Sequence, residues 1–78
     1  MKSSLSHQQI QILKDDLAVE LAEMLADEFH FSPEEALDSL YTSETFERLQ
    51  DNESGLYYQS AGYVYSFLSN EIKTATLA

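Results

Sequence analysis

Glu23, Asp27 and His30 are the residues of this 78-residue chain whose types and spacing come closest to a chemical site. On a helix the run Glu-x-x-x-Asp-x-x-His sets two carboxylates and an imidazole along one face, a donor set suited to a divalent metal. A small metal-binding protein or enzyme built on these three is one reading. The other needs no ligand: a histidine near a helix C-terminus gains from the helix dipole and from a carboxylate one turn away. Glu20, Glu23 and Asp27 match paired acid/base or di-metal carboxylates in residue type only. The Glu-x-x-His pairs of di-iron bundles are missing, and a solvated helix face accounts for the spacing. Asp51-Asn52-Glu53-Ser54-Gly55 resembles a calcium loop, but its glycine stands fifth instead of sixth and its twelfth position is Gly62 instead of a glutamate. Neither a Gly-x-Ser-x-Gly elbow nor a glycine-rich phosphate loop occurs, so the sequence assigns no catalytic residue and no cofactor.

The remaining chemistry is that of surfaces. Tyr57, Tyr58, Tyr63 and Tyr65 fall within nine residues, beside Leu56 and Phe67. Tyrosine brings a large, stiff contact area and a hydroxyl that tolerates water, which suits both a binding surface and the rim of a core. We take Tyr57, Tyr58, Tyr63 and Phe67 as expected partner anchors. Stacking of single-stranded bases on these rings would need nearby cations, and only Lys73 is within reach.

Charge narrows the partner further. The formal charge is −10, with 14 acids against Lys2, Lys14, Arg48 and Lys73. Nucleic acid and anionic membranes call for clustered bases, so both are poor partners. Thirteen of the 14 acids lie between Asp15 and Glu53, where Arg48 is the only base. Such a field steers a basic protein toward the surface. No run is long and apolar enough to span a membrane, and residues 1–6 carry no signal-like apolar stretch. With no cysteine to indicate an oxidising compartment, a cytoplasmic address is expected.

The elements that position these residues are helices. From His7 to His30, Ile10, Leu13, Leu17, Leu21 and Met24 form one apolar stripe, and Ile12, Val19, Ala22, Ala26 and Phe29 form a second beside it. Asp16, Glu20, Glu23 and Asp27 make the wet strip. The apolar surface then covers roughly two thirds of the circumference, more than one small domain needs to hide. The first stripe, Ile10 to Met24, is therefore assigned to self-association, and a homodimer is expected; the acidic strip is assigned to the partner.

Ser32-Pro33-Glu34-Glu35 predicts a capping box that opens a second helix, with Phe31 and Leu37 as a hydrophobic staple and Ala36, Leu37, Leu40 and Tyr41 facing inward. A third helix is expected over 43–50, burying Phe46 and Leu49. A loop follows in which Gly55 is free to take positive φ. Segment 56–68 has two readings: a small hairpin of 56–59 with 63–67, or an extended connection capped by Ser60 into a last helix over 61–73. Helical spacing of Ala61, Val64, Tyr65, Leu68 and Ile72 favours the second. The whole is expected to be one all-α domain, a small bundle of one long and three short helices, frayed over 1–6 and 74–78.

From Leu40 to Glu71 the chain resembles a group of small bacterial proteins that share Leu-Tyr-x-Ser near a helix break, an Asp-x-x-x-Gly-Leu-Tyr loop and a Ser-x-x-Tyr-Val-Tyr helix. The matching residues are Leu40, Tyr41, Ser43, Leu49, Asp51, Gly55, Leu56, Tyr57, Ser60, Tyr63, Val64, Tyr65 and Leu68. Proteins of that kind are often encoded beside short toxin-like partners, so the resemblance implies an antitoxin-like or accessory role without catalysis. The amino-terminal half lies outside it.

Overall fold

Hydroxyl residues at the helix starts set the architecture. In the computed structural model, which describes residues 6–77, Ser6 accepts from the Gln9 N–H at 3.2 Å while the Gln9 side chain accepts from the Ser6 N–H at 2.9 Å. This reciprocal box satisfies donors that a first helical turn leaves unpaired, and α1 runs His7–Phe29. The expected fraying of 1–5 lies outside the described residues, as does residue 78.

His30 ends α1 by taking left-handed geometry, φ 59° and ψ 37°. Two residues later Ser32 and Glu35 form a second reciprocal box, with Pro33 in the first turn, and α2 runs Pro33–Tyr41. Ser43 closes one helix and opens the next. Its hydroxyl donates to the Leu40 carbonyl at 2.6 Å and accepts from the Phe46 N–H at 3.0 Å, starting α3, Glu44–Gln50. Two 3₁₀ turns, Asn52–Ser54 and Leu56–Tyr58, flank Gly55, which takes the expected positive φ of 73°. Ser60 then accepts from the Tyr63 N–H at 3.2 Å and α4 runs Ala61–Leu77. Of the two readings of 56–68 the helical one holds from Ala61 onward, but Leu56–Tyr58 is a 3₁₀ turn instead of the extended connection expected there, and no strand occurs among the described residues. The last helix also continues to Leu77, through most of the segment expected to fray.

The chain folds as an all-α bundle of one long and three shorter helices, 47 × 22 × 18 Å, in which the 23-residue α1 is about 34 Å long. The core joins Leu17, Leu21 and Leu25 of α1 to Ala36 and Leu40 of α2, Leu49 of α3, Tyr57, and Val64 and Leu68 of α4. Leu25, which belongs to neither predicted stripe, is wholly buried, because the inward direction of α1 lies between them.

Three local expectations are corrected. Leu37 and Tyr41 are exposed, since the α2 face that meets the core is centred on Ala36 and Leu40. The staple pairing does not form: Phe31 stacks on Phe29, centroids 5.4 Å apart, because the fourth position of α2 is Ala36 and Leu37 points a further 100° round the helix. Phe46 is half-buried and leans on Tyr41, centroids 5.0 Å apart.

Candidate functional site

The stripe Ile10, Leu13, Leu17, Leu21, Met24 is largely spent inside the chain. Leu17 and Leu21 are core, and Ile10, Leu13 and Met24 are half-buried. This corrects the assignment of Leu17 and Leu21 to a subunit contact: the bundle turns that side of α1 toward α2, α3 and α4. What stays uncovered belongs to the second stripe. Ile12 and Val19 are each 58% exposed, and they share the solvent side of α1 with Asp16, Glu20, Glu23 and Asp27.

Where α2 folds back along α1, this side becomes a groove. Val19, Ala22 and Ala26 form one wall, and Pro33, Ala36 and Leu37 the other, enclosing about 390 Å³ with Glu23 on the lip. Ala22 and Ala26 stand one turn apart in the lining, and Leu37 is 38% exposed. Glu23 supplies the only charged side chain in the lining. Carboxylates continue along the solvent edge of α1 as Asp16, Glu20 and Asp27, and on α2 as Glu34 and Asp38, all exposed.

The basic side chains among the described residues are elsewhere. Lys14 is buried, donating to the Gln50 carbonyl at 2.7 Å and to Asn52 Oδ1 at 2.6 Å, with its ammonium 6.0 Å from the centre of the Tyr57 ring. Lys73 pairs with Glu28 at 3.1 Å. Arg48 lines a different hollow with Thr45, Ser54, Leu56, Tyr63 and Phe67. Among the described residues the acidic face of α1 and α2 thus has no counter-charge.

The four aromatic anchors separate. Tyr57 is core, under Lys14, while Tyr58 is 65% exposed beside it. Tyr63 and Phe67, one turn apart on α4, meet edge to face at 5.1 Å and stay half-exposed on the Arg48 side. The Tyr63–Phe67 pair and the acidic strip therefore line separate hollows.

Glu23, Asp27 and His30 do not converge either. The helix stops at Phe29, so the left-handed His30 leaves the line that helical spacing would give it, and no group of three or more ligating side chains able to hold a metal occurs among the described residues.

Three polar features escaped sequence reasoning. Glu71 of α4 accepts from the backbone N–H groups of Glu44 and Thr45 at 2.6 and 3.0 Å and from the Thr45 hydroxyl at 2.9 Å, capping α3 from a distance. Glu28 of α1 accepts from Tyr65, from Ser69 at 3.0 Å and from Lys73, a ladder spaced by four along α4. Lys14 is the third.

Fold and surface together define a small helical domain with an acidic, partly apolar face. Compared with family models, with curated proteins and with solved structures, the chain matches none.

Proposed function

We propose that this protein is a noncatalytic protein–protein interaction module that binds a basic protein, as an antitoxin-like inhibitor or a small acidic regulator acting in the bacterial cytoplasm. The observation that carries the reading is the acidic face of α1 and α2, whose carboxylates have no Lys or Arg within reach among the described residues and alternate with the exposed apolar side chains Ile12, Val19 and Leu37. Charge of one sign speeds encounter with a basic protein and rejects acidic ones; the apolar area holds what has arrived. Exposed Tyr58, Tyr63 and Phe67 offer a second contact area of the kind that anchors interfaces. A homodimer through the uncovered side of α1 would set the same carboxylates against each other, so it competes with the basic partner and is favoured only where salt screens them.

The test is affinity capture from the native host at two salt concentrations. A basic protein recovered in equimolar complex at low salt and lost at high salt is the expected result. Recovery of the bait alone at both salts would end the reading.

A further inference from the structure

We infer that the groove between α1 and α2 is a docking site for one cationic amphipathic helix of a partner protein. The inference rests on the reading above and deepens it by naming the surface and the shape of what it takes.

Three observations select that occupant. The first is the lining. A groove of about 390 Å³ has the size of a small-molecule pocket, yet Glu23 is the only side chain in it that carries charge or hydrogen-bonding groups. Small-molecule sites fix their ligands with several converging polar groups. This lining recognises apolar shape and positive charge, and little else.

The second is the backbone. α1 and α2 are continuous helices whose N–H and C=O groups are used internally, so the groove offers no edge on which an extended peptide could add as a strand. The occupant must present side chains, and the small, half-buried residues Ala22 and Ala26 let the ridge of another helix approach closely. From Ile12 to Ala26 the strip is about 21 Å long, the length of roughly 14 helical residues.

The third is charge. Asp16, Glu20, Glu23 and Asp27 border the strip along α1, and Glu34 lies on α2 three residues before Leu37, which lines the groove. Lys14 and Lys73 are held by other groups and Arg48 belongs to a separate hollow. A helix with apolar residues at i, i+4 and i+7 and Lys or Arg on both flanks complements this face. A second copy of the chain, carrying the same carboxylates, does not.

The experiment titrates the 78-residue chain with a Leu/Lys amphipathic helical peptide and with a peptide of the same composition scrambled to destroy the apolar stripe. Binding is read by fluorescence anisotropy and by amide chemical shifts. The amphipathic peptide is expected to bind about tenfold or more tighter than the scrambled one, to move the Val19, Ala22, Ala26 and Leu37 resonances, and to weaken with added salt. Val19→Asp with Leu37→Asp, both at exposed positions, should abolish the preference, and Asn70→Ala, exposed on α4 and outside the groove lining, should leave it intact. The shift map of the unmodified protein decides the matter should the Asp variant unfold. Equal affinity for both peptides, shifts confined to the Tyr63 and Phe67 side, or a groove occupied by a second copy in sedimentation would each overturn the groove assignment while leaving a basic partner possible elsewhere. Failure of both peptides to bind, together with empty capture from the host, would remove the broader reading as well.

Discussion

The hydroxyl of Tyr65 on α4 donates to the carboxylate of Glu28 on α1, two residues 37 apart in sequence that tie the carboxyl end of the long helix to the last one. Ser69 and Lys73 extend the contact along the same face of α4. Donation from Tyr65 first, then from Lys73 and Ser69, holds the Glu28 carboxyl below its ordinary range. Burial first, then the neighbouring carboxylate, pushes the Tyr65 phenol well above its usual value.

Stability should therefore fall at both ends of the pH scale. Glu28 is lowered by folding, so its contribution is present above the ordinary carboxylate value of about 4.3 and is lost as pH drops through the folded value. Tyr65 is raised by folding, so its contribution is complete below the ordinary phenol value of about 10 and drains away as pH climbs past it. Thermal melts of the wild type and of Tyr65→Phe across pH 3 to 11 check this. The variant should melt lower at neutral pH and lose less on further alkalinisation; parallel curves would refute the linkage.

Glu71 acts as a borrowed cap. α3 is seven residues long and cannot stand by propensity alone, so the three bonds that Glu71 accepts at its N-terminus should hold it in place. Glu71→Ala is expected to destabilise the domain by about 1 to 2 kcal/mol, the range of a lost N-cap, and Glu71→Gln by less because an acceptor remains. Hydrogen exchange should show the loss concentrated in the amides of Glu44 and Thr45.

Lys14→Met keeps the buried aliphatic stem and deletes the ammonium. The Gln50 carbonyl and Asn52 side chain then lose their donor. Both residues are exposed, so water can replace the lysine, and we expect the low end of the usual penalty, about 1 kcal/mol. The 52–58 turns should exchange faster than wild type while the centre of α1 remains protected. Uniform loss across the domain would mean instead that Lys14 holds the whole core.

How far the sequence could be read depended on whether the governing interactions were local. Ser6, Ser32, Ser43, Ser60 and Gly55 act within a few residues of themselves, and the helix starts and the positive-φ turn were legible in their spacing. Which side of α1 faces inward was not. Two apolar stripes lie side by side, and only the docking of α2, α3 and α4 chooses the direction that buries Leu17, Leu21 and Leu25 and leaves Ile12 and Val19 outside. Lys14 in the core and Glu71 at α3 depend on partners 26 to 38 positions away, beyond any periodicity argument. The acidic strip was visible as composition; the groove beside it comes from the crossing of two helices.

That division of α1 has a direct energetic signature. Leu21→Ala empties a fully buried site and should destabilise by about 2 to 5 kcal/mol, whereas Val19→Ala, at a position 58% exposed, should change stability by about 0.5 kcal/mol or less. Urea unfolding of the two variants measures both. A large loss for Val19→Ala at low protein concentration would indicate that its side is covered in solution.

Salt separates the two associations open to that side. A dimer formed across α1 brings together Asp16, Glu20, Glu23 and Asp27 from each copy, and its formation is opposed by like charge that ions screen over about 8 Å at physiological strength. Self-association should then strengthen as salt rises. A complex with a cationic helix joins opposite charges across the same face and should weaken over the same range. Sedimentation of the protein alone and with the Leu/Lys peptide, at low and high ionic strength, is expected to show a monomer at low salt that the peptide titrates to a one-to-one complex. A tight dimer at low salt that excludes the peptide would reverse the assignment, because apolar burial between identical copies would then outweigh the repulsion of their acidic rims.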